Sequence, residues 1–155
     1  MTPILPIPTK YALRAGGAEG ETRLTAFDNA LLAAGSGNVN LLKISSILPP
    51  RCEYVPDLAI PPGALVPTAY GAVVSDVPGE LLAAAVAVGI SPDSFGVIME
   101  FAGRCSREEA EAAVAKMVKE SFAARGLELK ETKIRSAEHR VVKMGCAFAC
   151  VSLWY

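Results

Sequence analysis

"NVNLLKISSILPP", residues 38–50, decides how the chain is read. Apolar and polar residues alternate, two serines follow Ile44, and Pro49 and Pro50 close the stretch. A period of two marks a strand with one covered face, so residues 38–48 are expected to form one strand. The double proline ends it, because proline has no N–H to give to a ladder. Ser45 and Ser46 then have two readings. Their hydroxyls can bond backbone groups and help the turn into Pro49. Alternatively, the Ser46 hydroxyl is a nucleophile aimed at the carbonyl just before it, in a strained turn where proximity replaces any partner protein. The chain would then break between Ser45 and Ser46.

Working outward, "KYALRAG" (10–16) reads as a strand that passes into a glycine-rich loop, and Thr22 can cap a helix over Arg23–Ala34. Leu24, Phe27, Leu31 and Ala34 recur at helical spacing, and "GSG" at 35–37 ends the helix. Residues 49–67 hold too many prolines for a regular element and are expected to form a long ordered loop. Strands are expected around a turn at Pro78–Glu80, although "LLAAAVAVGI" (81–90) also suits a short buried helix; "FGVIMEFAG" (95–103) is a clearer strand.

Ser106 and Glu109 form a capping box for a helix through Arg125, with Ala110, Val114, Met117, Val118 and Phe122 on its buried face and Gly126 as its stop. "LELKETKIRSA" alternates as an amphipathic strand, and "VVKMGCAFACVSLWY" reads as a buried final one. Six or seven grouped strands and two long helices favour an α+β layered fold over a doubly wound one, in a single domain of residues 1–155.

The composition narrows function. With 52% hydrophobic and 20% charged residues and a mean hydropathy of +0.35, apolar material exceeds what a small core needs, so some is expected at subunit interfaces. A net charge of −1 gives no footprint for nucleic acid or an anionic membrane. The run 81–90 is about half of a membrane span. The proline-bearing start lacks the basic and apolar regions of a signal peptide, so a cytoplasmic protein is expected.

Cys52, Cys105, Cys146 and Cys150 form no CxxC pair and read as small core residues; with His139 as the one histidine, no metal site is expected. There is no GxSxG elbow, phosphate loop or GxGxxG motif.

Chemistry must therefore come from polar residues in apolar segments: Asn38, Asn40, Ser45, Ser46, Asp28 and Glu100. Alternation puts Glu100 on a face with Ile98 and Ala102, where desolvation favours the protonated acid; the other reading is a strand-end glutamate paired with a lysine or arginine. Asp28 reads as a partner of the helix dipole, and Asn40 as an amide that satisfies a turn.

Together, "AFDNALLAAGSGNVNLLKISSILPP" (26–50) and "GVIMEFAG" (96–103) closely resemble the pyruvoyl-dependent arginine decarboxylases. The resemblance implies a layered αββα sandwich and a proenzyme that cuts itself between Ser45 and Ser46, giving a β chain of residues 1–45 and an α chain of 46–155. Ser46 would become a covalent pyruvoyl group, with no pyridoxal phosphate and no metal. That group forms a Schiff base with L-arginine, which loses carbon dioxide to give agmatine, in polyamine biosynthesis or acid resistance.

By the same comparison Glu100 is the general acid, Asn40 holds the serine junction, and Asp28 faces the guanidinium. Leu24, Gly37, Val39 and Ile47 line the pocket. The resemblance also implies trimers, in some relatives paired into hexamers, with the site between protomers. Three alternatives stay open at this level: the same chemistry on another amino acid, self-cleavage that leaves a free Ser46 amine as in N-terminal nucleophile hydrolases, and a trimeric binding or structural relative that never processes.

Overall fold

The computed structural model describes residues 4–155. Its elements follow from local sequence. Thr22 accepts from the Thr25 N–H while Thr25 Oγ1 accepts from the Thr22 N–H, closing a capping box that starts α1 (Arg23–Ala34). Gly35 ends it in the left-handed region at φ 84°. Ser106 and Glu109 cap α2 (Arg107–Arg125) in the same way, and Gly126 stops it at φ 62°.

The strands are β1 (Lys10–Glu19), β2 (Asn40–Lys43), β3 (Ile47–Leu48), β4 (Glu53–Tyr54), β5 (Leu65–Ser75), β6 (Leu81–Ile90), β7 (Gly96–Gly103), β8 (Glu131–Arg140) and β9 (Gly145–Trp154). Five of them form one sheet in the order β2-β5-β9-β1-β4, and four form a second in the order β3-β7-β6-β8.

The two most apolar stretches are apolar because both of their faces are covered. On β9, Cys146, Phe148 and Cys150 meet Ala26, Ala30 and Leu31 of α1, while Ala147, Ala149, Val151 and Leu153 turn to the core between the sheets. On β6, Ala83, Ala85 and Ala87 meet Ala110, Val114, Val118 and Phe122 of α2, and Leu82, Ala84, Val86 and Val88 join the same central core. Each fully buried Val or Leu contributes about 1.5–3 kcal/mol. The result is one α+β domain of two helices and two sheets.

Four expectations are corrected. β1 runs on through Gly16 and Gly17 to Glu19, because the backbone of α1 rests on Gly16, where a Cβ would come within 2.6 Å of the Ala34 nitrogen. The same close approach selects alanines for the helix's buried stripe, and Leu24 is 73% exposed. The single strand expected over 38–48 is two strands in two different sheets, β2 pairing with β5 and β3 with β7. The expected loop 49–67 contains β4 and the start of β5; Pro67 fits there because the ladder from β5 to β9 begins one residue later, at Thr68.

Candidate active site

The serine pair lies where the chain changes sheets. The Ile44 N–H donates to the Thr68 carbonyl of β5 at 3.1 Å, and the Ser46 carbonyl accepts from the Ile98 N–H of β7 at 2.7 Å. Stacked sheets stand about 10 Å apart, and Ile44, Ser45 and Ser46 make the crossing, pinned at both ends, with a bend at Ser46. Ser45 is exposed and Ser46 half-buried. Among the described residues neither hydroxyl makes a side-chain hydrogen bond within the chain, although Asn40 and Thr68 nearby both do. The turn-stabilising role open to them in the sequence is not taken up.

Glu100 lies two residues beyond Ile98 on β7 and shares its face, with Ile98 and Ala102 packed in the central core. Its partner across β6 is Val86, and an added Cβ on Gly71 of β5 would sit 3.6 Å from the Glu100 Cβ. This apolar setting pushes the carboxyl up from its ordinary value, and the charge of Lys43 pulls it part of the way back.

The other expected site residues sit elsewhere in the chain. The Asn40 Nδ2 donates to the Gly63 carbonyl at 3.3 Å, six residues before Ser46, so within one chain its amide serves the 61–64 turn. α1 lies over β1 and β9, whereas β2 is the sheet edge on the far side of β5. Asp28 and Leu24 are exposed on α1. Gly37 and Val39 line a cleft of about 300 Å³ with Arg14, Leu32 and Leu58, and Arg14 Nη1 donates to the Gly35 carbonyl at 2.9 Å. That cleft holds neither Ser46 nor Glu100. Ile47, 41% exposed, opens β3 beside the serines. One chain thus brings Ser45, Ser46, Ile47 and Glu100 together and keeps Leu24, Asp28, Gly37, Val39 and Asn40 apart from them.

Two features escaped sequence reasoning. Lys43 ends β2 with its Nζ 4.4 Å from the Tyr70 ring centroid; its signal was a lone cation three residues before Ser46. His139 is bound to Glu19, Nε2 to Oε2 at 2.5 Å, while Glu19 Oε1 accepts from the N–H groups of Lys143 and Met144 at 2.8 and 3.2 Å. No local spacing reveals that contact between distant strands.

The chain is thus a two-sheet α+β domain with its serine pair at the sheet crossover and Glu100 two residues beyond Ile98 on β7. A family model described as pyruvoyl-dependent arginine decarboxylase matches residues 10–154. A protein of that name from Methanocaldococcus jannaschii is 54% identical over 151 residues, covering 96% of this chain and 92% of the relative. Those from Pyrococcus horikoshii and Methanococcus maripaludis are 50% identical (95% and 96% covered) and 44% identical (96% and 92% covered). The chain belongs to the pyruvoyl-dependent arginine decarboxylase family.

Proposed function

We propose that the chain is a proenzyme that cuts its own backbone between Ser45 and Ser46 and then decarboxylates L-arginine to agmatine and carbon dioxide. The observation that carries this reading is the serine pair at the sheet crossover, held by Thr68 on one side and Ile98 on the other, with Glu100 next along β7. A cut there divides the chain into a β chain of residues 1–45 and an α chain of residues 46–155 while β2 and β3 keep their ladders.

In the cut, Ser46 Oγ attacks the Ser45 carbonyl carbon and the C–N bond breaks, giving an ester and a free amine. Loss of the Ser46 α-proton expels the Ser45 carboxylate. The dehydroalanine left behind takes up water and releases ammonia, so a pyruvoyl group heads the α chain. Ser46 fits this role, because its hydroxyl is unengaged and the residues around it are pinned. The group supplies a carbonyl that accepts the electrons released as carbon dioxide leaves an amino acid.

Glu100 then gives a proton to the carbon that carbon dioxide has left, a task its desolvated setting favours. The Asp28 carboxylate offers a guanidinium a bidentate, charge-assisted partner, Leu24, Gly37, Val39 and Ile47 supply the walls, and Asn40 holds the junction or substrate by its amide. Because the two groups of residues do not meet in one chain, the reading requires a second copy, in a trimer of processed protomers or a pair of trimers. Exposed Leu24, Leu42, Ile47 and Leu65 support such an interface.

The three apolar clusters support the finer αββα order, α1 on one sheet and α2 on the other. A cytoplasmic setting is part of the same reading, supported by Cys146 and Cys150 as buried free thiols. The test is turnover of a panel of amino acids by purified protein. Agmatine and carbon dioxide from arginine, well above any other substrate, are expected; an uncleaved chain inert toward arginine overturns the reading.

A further inference from the structure

Two segments line the cleft of about 300 Å³ that contains Gly37 and Val39: residues 35–39, between α1 and β2, and residues 58–62, ahead of β5. At one end backbone groups join them. The Gly63 N–H donates to the Asn38 carbonyl at 2.8 Å, and the Asn40 N–H donates to the Ala64 carbonyl at 2.8 Å. At the other end the link is a single side chain, Arg14 of β1. Its Nη1 donates to the Gly35 carbonyl at 2.9 Å and its Nη2 to the Leu58 carbonyl. A planar guanidinium presents its donors in a fixed fork, so one side chain holds two carbonyls at once.

Between these two ties the walls have little else to hold them. Among the described residues, Gly37, Val39, Ala59 and Ile60 make no backbone–backbone hydrogen bond. Ser36 is buried, with its Oγ 3.7 Å from the Cys150 Sγ, so residues 35–39 are anchored to β9 below them. Their coupling to residues 58–62 at that end runs through Arg14. Leu32 fills the space that a Cβ on Gly37 would take, and Asp28 stands one turn before Leu32 on α1. A shift of residues 35–39 therefore reaches the leucine next to the carboxylate that faces the guanidinium. Walls ordered before substrate arrives remove that ordering cost from binding.

We propose that Arg14 is a positioning residue that clamps residues 35–39 to residues 58–62 and thereby holds the cleft at the width that receives the substrate. This rests on Gly37 and Val39 being substrate walls. The first test needs no turnover: amide hydrogen exchange is followed by NMR in the Ser46→Ala proenzyme. Arg14→Met is expected to quicken exchange of the hydrogen-bonded Leu58 and Gly63 amides about tenfold, with the amides of Ala85 and Val86 in β6 unchanged. Arg14→Lys, which lacks the fork, is expected to fall between parent and Arg14→Met. Arg14→Gln takes the place of the methionine variant if that one does not fold.

In processed enzyme the same variant is expected to raise KM for arginine about tenfold, with kcat within about twofold of the parent and cleavage at the serine pair complete. Unquickened exchange at Leu58 and Gly63 overturns the clamp. Quickened exchange with an unmoved KM overturns its link to substrate, and a fall of kcat and cleavage together shows a general role in folding and overturns the proposal. A parent inert toward arginine overturns the proposed function instead, and the exchange rates in the proenzyme still decide the clamp.

Discussion

The Ile98 N–H donates to the Ser46 carbonyl at 2.7 Å, and this bond fixes the residue at the proposed cleavage point to β7 while Ile44 is still tied to β5. The peptide between the serines is therefore the link between two separately anchored strands. Anchors on both sides restrict the backbone at the Ser45–Ser46 peptide, and the ladders of β2 and β3 would keep both new ends in place after a cut.

The two serines should behave differently. Ser46→Ala removes nucleophile and leaving group at once, so a denaturing gel is expected to show one uncleaved chain after long incubation. Ser45→Ala leaves the attacked carbonyl intact and should slow processing without abolishing it. Equal behaviour of the two variants would contradict this division of roles.

Glu100→Gln should process and then decarboxylate arginine about 10²–10⁴-fold more slowly than the parent. Its setting fixes the sign of the pH dependence. Burial raises the carboxyl above its ordinary value, so the donor form persists below that raised value and is lost as pH rises through it. The parent enzyme should therefore lose kcat/KM on the alkaline side, and a profile flat through that range would contradict the role.

Glu19 binds β1 to the β8–β9 turn. Burial pushes its carboxyl up, but the hydrogen bonds from His139 and the Lys143, Val142 and Met144 backbone outweigh this and hold it near 2, against an ordinary 4.5. A lowered acid contributes stability that is present above 4.5 and fades as pH falls toward 2. Since the side chain is 32% exposed, Glu19→Gln should cost only about 1 kcal/mol and lower Tm by roughly 3 °C at neutral pH. That gap should close as the comparison is moved toward pH 2.

Gly16→Ala would drive a methyl into the α1 backbone, where the nearest atoms are 2.6–2.9 Å from the added Cβ. Overpacking of this kind costs about 1–3 kcal/mol, measurable as a lower denaturant midpoint with an unchanged slope.

The helices were legible because caps, stops and period-3.6 patterns are local: Thr22 to Ala34 and Ser106 to Gly126 stand as the sequence indicated. The run at 81–90, open to strand or helix on sequence, is the strand β6, settled by sheets and helices that cover both its faces. What alternation cannot carry is a change of sheet. The pattern through "NLLKISSIL" continues while the pairing partner switches from β5 to β7. Gly16 reads as a loop residue until α1 is seen resting on it. The serine pair and Glu100 were visible as polar residues in apolar strands, whereas Lys43 looked like an ordinary strand cation. Its contact with the Tyr70 ring joins residues distant in sequence.

The most direct test of the central claim is the intact mass of the purified protein. Self-cleavage at the serine pair predicts two chains, residues 1–45 and 46–155, the longer one lighter by one ammonia than a serine-headed chain and blocked to amino-terminal sequencing. A single chain of full mass, or a longer chain with a free serine amine, would contradict it.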